Sequence, residues 1–529
     1  MAKEVHETVM KFKTLTRDET SILILMSAFI FGGVFRFMPA ALAGFPVNDG
    51  GMFYVMMNDL QANHFLPPLY TTYNNLNIPF AYPPLGFYIG AAISSWFNIS
   101  GIEIIRWLPA VFNTVCLIAF YFLSIEIFED KLKGATATFV FSLTPQVNVW
   151  LSAGGGLTRS LGTLFMLLTV LYAHRMFVRD HSKAFWGVVI FGSFTVLSHT
   201  ESTVLAIILP IYIWLLKSRK SKGLIQGILI VLGVMIIAGP WYLMVIHRHG
   251  IDPLLSALRT GSHSFWSFLR LINVDGLTSE PYLDLFGVLG ILGIVLLVTK
   301  REYFLPLMLL VLYIAQPRSA NTTGNIPMAM AAGAFVVDAL IPIYLQQTRQ
   351  FSKGYQTFIP FLIIAPYILV NSIYQGFLLS TNHVAQDERA AMQWIAENTP
   401  ADSRFIVLTG ESDAMCESVA EWFPALSKRQ SLTTLQGREW LSNVNFIEFV
   451  EQRNKLQTCI NNDVNCLDRE VNFFGTQPDY VYISIQSPTE GCKMVQTRHD
   501  YRSIILSLMQ SDNYIIAHQS KSVMVFQNK

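Results

Sequence analysis

The run Phe45-Pro46-Val47-Asn48-Asp49-Gly50-Gly51 places a carboxylate directly after the first long apolar stretch of a 529-residue chain. An acid at the exit of a membrane helix is costly unless it meets water or a functional partner. A carboxylate held there can take the proton from a hydroxyl as that hydroxyl attacks an electrophilic carbon. Positioned base catalysis of this kind contributes about 10²–10⁴-fold. Gly50 and Gly51 leave the backbone open to a substrate. The competing reading of Asp49 is an N-cap for a helix that begins at Met52, since Asp is a favoured cap. Asp59, further along the same loop, reads as a solvated face residue.

Cations at the same level could hold an anionic group such as a phosphate. Three arginines stand at outer span ends: Arg106 in Glu103-Ile104-Ile105-Arg106-Trp107, Arg159 in Gly154-Gly155-Gly156-Leu157-Thr158-Arg159, and Arg318 in Gln316-Pro317-Arg318-Ser319. The planar guanidinium fork grips phosphate oxygens bidentately. The plain alternative is an arginine that snorkels to the interface. His199 and Glu201, in Ser198-His199-Thr200-Glu201, interrupt two short apolar stretches. With Asp49 they could hold a divalent metal, bind sugar or acceptor, or form a buried pair joining two half-helices. Tyr82, in Ala81-Tyr82-Pro83-Pro84-Leu85, is a further substrate or metal candidate. His247, His249, His263, Trp266, Asp275 and Glu280 read mostly as solvated loop.

The elements that must position these groups are apolar helices. The chain is 52% hydrophobic and 14% charged, with mean hydropathy +0.40, where ordinary soluble domains are about 25% charged. A polytopic, α-helical membrane protein follows. The net charge of +1, with no long basic run, argues against nucleic acid. No cleavable signal peptide is expected in the polar first 20 residues. Apolar stretches lie at about 20–41, 105–128, 134–152, 157–178, 184–198, 201–216, 223–247, 282–299, 302–317, 325–345 and 356–378, against a span requirement of about 20 residues. The stretch 84–97 is too short to cross comfortably. If it only dips into the outer leaflet, Lys131/Lys133, Arg179/Lys183, Lys217/Arg219/Lys220/Lys222, Lys300/Arg301 and Arg349/Lys353 all fall on the cytoplasmic side. The expectation is therefore about eleven spans, a cytoplasmic N-terminus and a long external loop, 42–104.

Residues 1–380 are expected to form this transmembrane unit, and residues 381–529 an extracytoplasmic α/β domain. Asp387 to Asn398, Phe446 to Leu456 and Tyr501 to Met509 read as helices; Phe405–Leu408, Tyr480–Ile483 and a hairpin at 514–526 read as strands. No glycine-rich nucleotide fingerprint occurs there. Cys416, Cys459, Cys466 and Cys492 lie in this region, and the close pair Cys459/Cys466 is the easiest to imagine bonded.

An acid after the first helix, a Pro-Pro-Leu helix in the same external loop and an arginine entering the second span resemble the plan of the GT-C glycosyltransferases. The comparison is with the protein O-mannosyltransferases and the lipid A aminoarabinose transferase in particular. Asp49, Pro83-Pro84-Leu85 and Arg106 carry the resemblance, joined by Trp394-Ile395-Ala396-Glu397-Asn398-Thr399-Pro400 and Glu421-Trp422-Phe423-Pro424-Ala425-Leu426. Those families carry Asp-Glu at the acidic site, and this chain carries Asp49-Gly50. The resemblance implies a membrane glycosyltransferase that moves a sugar from a polyprenyl-phosphate donor to a glycan, lipid or protein acceptor on the extracytoplasmic face of the cell membrane or endoplasmic reticulum. Inversion is expected, because no second nucleophile is evident. Three other readings stay open: a transporter or flippase for lipid-linked sugars, a non-catalytic protein that binds them, and en bloc transfer like that of oligosaccharyltransferase.

Overall fold

The computed structural model describes residues 16–259, 285–317, 319–348, 359–442, 444–485 and 500–529. Arg318, His263, Trp266, Asp275, Glu280 and Cys492 lie outside the described residues. The first part of the chain is a helical bundle. Its helices are α1 (Arg17–Ala43), α2 (Gly51–Ala62), α3 (Leu85–Phe97), α4 (Gly101–Phe128), α5 (Lys131–Leu143), α6 (Pro145–Ser152), α7 (Gly156–Phe177), α8 (Ala184–Val196), α9 (Thr200–Ile213), α10 (Ser221–His249) and α11 (Asp252–Arg259). Helices at Leu285–Thr299, Phe304–Ala315, Asn325–Phe335 and Ile359–Thr381 follow.

Among the described residues, six helices are long and apolar enough to cross a membrane: Arg17–Ala43, Gly101–Phe128, Gly156–Phe177, Thr200–Ser218, Ser221–His249 and Asn325–Tyr344. The expected span at 134–152 is two helices, because Pro145 starts a new one after Thr144. The short pair expected at 184–198 and 201–216 is α8 and α9, broken at Leu197–His199. α3 has 13 residues, about 20 Å of helix, against a hydrocarbon thickness of about 30 Å. It is docked rather than free. The Leu85 N–H donates to the Leu197 carbonyl at 2.9 Å, Gly90 sits against Met57, and Gly86 lies close to the Leu157 backbone.

The described basic clusters share one end of the bundle; Arg349 and Lys353 lie outside the described residues. Arg17 pairs with Asp130, Lys131 with Asp18, Lys133 and Lys300 with Asp338, Arg175 and Arg179 with Glu126, and Lys220 with Asp180. These joins link the start of α1, the α4–α5 corner, the end of α7 and the start of α10. The loop 44–100 occupies the opposite end. Asp59 is not merely a solvated face residue: it accepts hydrogen bonds from the Thr71 and Thr72 hydroxyls and the Thr72 N–H. These clamp the end of the two-residue strand β1 (Tyr70–Thr71), which pairs with β2 (Ile78–Pro79).

The C-terminal part carries a five-stranded sheet. Its strands are β3 (Arg404–Leu408), β4 (Gln430–Ser431), β5 (Tyr480–Ser484), β6 (Tyr514–Gln519) and β7 (Val523–Asn528), in the order β4-β3-β5-β7-β6. β3 is parallel to β4 and β5, and β7 is antiparallel to β5 and β6. A strand buried on both faces reads as a continuous apolar run, as in Phe405-Ile406-Val407-Leu408 and Tyr480-Val481-Tyr482-Ile483. Side chains alternate between two cores. Ile406, Leu408, Val481 and Ile483 join Leu456, Ile460 and Leu508 on one side. Phe405, Val407, Tyr480 and Tyr482 pack on the other with Met392, Ile395, Trp422 and Phe423. That second core continues without a break into Phe45, Met52, Phe53, Met56, Phe80 and Phe87 of the membrane-side loop. Cys459 and Cys466 form a disulfide, and Cys416 is also disulfide-bonded.

Candidate active site

Asp49 is held by the N-terminus of α7. The loop is pinned there by the Gly154 N–H, which donates to the Val47 carbonyl at 2.9 Å. The Asp49 carboxylate accepts from the Gly155 N–H at 2.7 Å through Oδ1 and pairs with Arg159 Nη2 at 2.7 Å through Oδ2. A helix N-terminus favours negative charge, and Arg159 stands one turn inside the same helix. This approach needs glycine. Gly50 has φ +119°, and a side chain there would strike Ile105 and Gly154. A β-carbon at Gly154 would enter the Asp49 carbonyl oxygen, and one at Gly155 would lie 2.8 Å from Arg159 Nη1. The capping alternative for Asp49 does not hold for α2: the N-cap of that helix is Gly50, with no side-chain bond.

Asp49 is only 7% exposed. Arg159 Nη1 is buried and has no hydrogen-bond partner among the described residues, while the guanidinium lies over the Trp150 ring at 5.3 Å. One edge of the arginine is thus spent on Asp49, and the other retains an unpartnered donor.

The residues on either side of Asp49 are gripped by the C-terminal part of the chain. The Asn48 carbonyl accepts from Trp422 Nε1 at 3.1 Å, and Asn48 Nδ2 donates to the Met415 carbonyl at 3.1 Å. Asn382 adds two bonds, giving its side-chain amide to Asn48 Oδ1 at 3.1 Å and receiving the Asn48 N–H at 2.7 Å. The Gly50 N–H donates to Glu421 Oε1 at 2.8 Å. Tyr73 donates its hydroxyl to the Glu421 carbonyl at 2.6 Å. Burial, reinforced by the Asp49 charge, holds the Glu421 carboxyl well above the usual carboxylate range, against the opposing pull of the Gly50 N–H and Arg159.

Tyr82 belongs to the same site. Its hydroxyl is 3.3 Å from Thr158 Oγ1, and its ring packs on Phe53, Phe87 and Trp440. Burial pushes its phenol up to about 12, with Arg159 pulling the other way. Glu201, in the first turn of α9, lies within electrostatic reach of both Tyr82 and Arg159. His199 is the N-cap residue of α9, buried, with Nδ1 3.4 Å from Ser202 Oγ and its β-carbon seated on Gly162.

Two expectations need revision. Arg106 spends its guanidinium on the Ala40 carbonyl at 2.9 Å, on Glu103 at 3.1 Å and on the Trp107 ring at 4.6 Å. It closes the C-terminal end of α1, where free carbonyls attract a cation, and no described contact joins it to Asp49. The metal option for Asp49, His199 and Glu201, one of the three left open, is not met: among the described residues no three His, Cys, Asp or Glu side chains stand together to hold an ion. The Asp49 oxygens are taken by Gly155 and Arg159 instead. Glu421 was missed as a site residue. In sequence it is an acid in the first turn of a helix, where acids commonly sit for the dipole alone.

No family model matches the sequence, and no curated protein matches it. Solved structures do match it by shape. The archaeal oligosaccharyltransferase AglB from Archaeoglobus fulgidus, in complex with an inhibitory peptide and a dolichol-phosphate, aligns over 96% of this chain and 74% of its own, with TM-score 0.52 and 13% identity. ArnT from Cupriavidus metallidurans in the apo state aligns over 96% and 97%, with TM-score 0.54 and 13% identity. The arabinofuranosyltransferase AftD from mycobacteria aligns over 98% of this chain and 40% of its own, with TM-score 0.55 and 11% identity. The fold is that of the GT-C glycosyltransferases.

Proposed function

We propose that the protein is an integral membrane glycosyltransferase that transfers a sugar from a polyprenyl-phosphate carrier to an acceptor hydroxyl or amide. The observation that carries this reading is the pairing of Asp49 with Arg159, whose Nη1 is buried and unpartnered among the described residues. In the reaction the acceptor oxygen or nitrogen bonds to the anomeric carbon as the bond from that carbon to the phosphate oxygen breaks. The acceptor proton passes to Asp49, and the polyprenyl phosphate leaves with the electron pair. Arg159 meets the negative charge that builds on the phosphate, where a fork-shaped cation is suited to bind it. With both Asp49 oxygens engaged in this state, proton transfer requires one contact to yield. A phosphate competing for Arg159 supplies that release. With Asp49 acting as base and no second nucleophile assigned, direct displacement with inversion is favoured.

The neighbours named above support the lipid donor. AglB was solved with dolichol-phosphate and ArnT with undecaprenyl phosphate. The gathering of basic clusters at the end of the bundle opposite Asp49 supports a site on the extracytoplasmic face of the membrane.

The test is turnover of polyprenyl-phosphate sugars by the purified full chain in detergent. Wild-type protein should release polyprenyl phosphate and glycosylated acceptor, and Asp49→Asn should reduce the rate by about 10²–10⁴-fold at equal folded yield. A wild-type protein that leaves every lipid donor intact, or an Asp49→Asn variant with full activity, overturns the proposal. Movement of intact donor across vesicles would point to transport instead.

A further inference from the structure

The helix Ser418–Ser427 buries Ala420, Trp422, Phe423, Pro424 and Ala425 in the core shared with the membrane-side loop. Glu421 is the one buried charged residue of that helix, its carboxyl 4% exposed. Burying such a group costs several kcal/mol unless its contacts repay it, so packing alone does not account for it. Among the described residues its carboxyl makes one hydrogen bond, to the Gly50 N–H at 2.8 Å. Gly50 stands at φ +119°, wedged between Ile105 and Gly154, and its N–H lies in the peptide plane that follows the Asp49 Cα, so a bond to that N–H fixes the backbone on which Asp49 is carried. Gly50 also begins α2, so its N–H has no acceptor within that helix. Close packing of Gly51 against the Glu421 carbonyl fixes the helix and the turn face to face.

We infer that Glu421 is a positioning residue of the active site, holding the turn at Gly50 so that Asp49 reaches the α7 N-terminus and Arg159. The C-terminal part of the chain is then a working wall of the site and not an appendage. The elevated proton affinity of Glu421 agrees with this: a neutral carboxyl can sit beside Asp49 without like-charge repulsion while its carbonyl oxygen accepts from Gly50. Gln keeps that acceptor without a charge, and Ala removes it.

The kinetic arm of the test rests on the proposed function; the exchange arm does not. In Glu421→Ala, amide exchange at Gly50 should accelerate at least 10-fold while the β5 amides of Tyr480–Ser484 stay protected. The kcat for sugar transfer should fall about 10–100-fold, as expected for sub-ångström misplacement of a base, with the donor KM within about two-fold. Glu421→Gln should restore both. Unchanged Gly50 exchange in Glu421→Ala overturns the inference. So does a Glu421→Gln variant that loses kcat with Gly50 still protected, because the group would then act by titrating and not by positioning. Wild-type protein inactive on every lipid donor removes the proposed function, and Gly50 exchange still decides the role of Glu421.

Discussion

Gly155→Ala tests the geometry of the site with one methyl group. The added β-carbon would stand 2.9 Å from Asp49 Cγ and 2.8 Å from Arg159 Nη1, whereas ordinary contacts begin at 3.4 Å. The carboxylate must therefore retreat by 3.4 − 2.9 = 0.5 Å and the guanidinium by 3.4 − 2.8 = 0.6 Å. Misplacement by about 1 Å can cost about 10²-fold. Read as log-linear, these shifts correspond to about 10-fold, or about 1.4 kcal/mol of activation free energy. That is a floor, because Asp49 Oδ2 would be closer still. Both moving groups are side chains, one in the loop before α2 and one in the first turn of α7, so the fold should survive. The assay is kcat for sugar transfer from a saturating polyprenyl-phosphate donor, beside Gly33→Ala as a control whose new β-carbon meets nothing within 4 Å. A 10–100-fold loss in Gly155→Ala with an unchanged control is expected. Full activity in Gly155→Ala would mean that the Asp49–Arg159 arrangement does not set the rate.

Arg159→Lys keeps the charge and loses the fork, so the KM for the lipid donor should rise by roughly 10–100-fold, the range for a lost hydrogen bond to a charged group; Arg106→Lys should leave it within about two-fold. The raised proton affinity of Glu421 means that its proton favours the folded site. That contribution is complete below the unfolded value of about 4.3 and is lost as pH rises through the raised folded value. Melting temperature should therefore decline as pH rises above about 4.3, and Glu421→Gln should flatten that decline in a thermal scan across pH. Asp49, Arg159 and Glu439 are the charges that bear on this group. Replacing Cys459 and Cys466 by Ser opens a loop of separation 7, which should cost roughly 2–3 kcal/mol of stability by the loop-entropy relation, measured by denaturant unfolding, with donor KM unchanged.

Much of the bundle was legible because a membrane imposes length. Runs near 20 apolar residues can do little else, and 84–97 fell short of that length in sequence as α3 does in space. Pro145 was the exception: the apolar runs before Thr144 and after Asn148 read as one span, and the backbone divides them at Thr144. The strands at 404–408 and 480–484 were legible because double burial removes polar positions from the run. Arg106 shows the opposite case. Its place at a span entry was correctly read, but whether a terminal arginine faces a ligand or a neighbouring helix end depends on what packs beside it.

The sequence by itself determined a polytopic membrane chain, a carboxylate at the first helix exit, and a glycine run before Arg159. Each is a local signal of apolar length, charge next to an apolar stretch, or absent side chains. The tertiary structure alone decided which of these meet. Asp49 and Gly155 are 106 positions apart, and Gly50 and Glu421 are 371 apart. No periodicity spans such distances, because the contacts arise from how the loop, α7 and the C-terminal sheet share one apolar core. The same packing turned Gly50 from an open approach to substrate into a wedged turn with a carboxyl from the far end of the chain on its N–H.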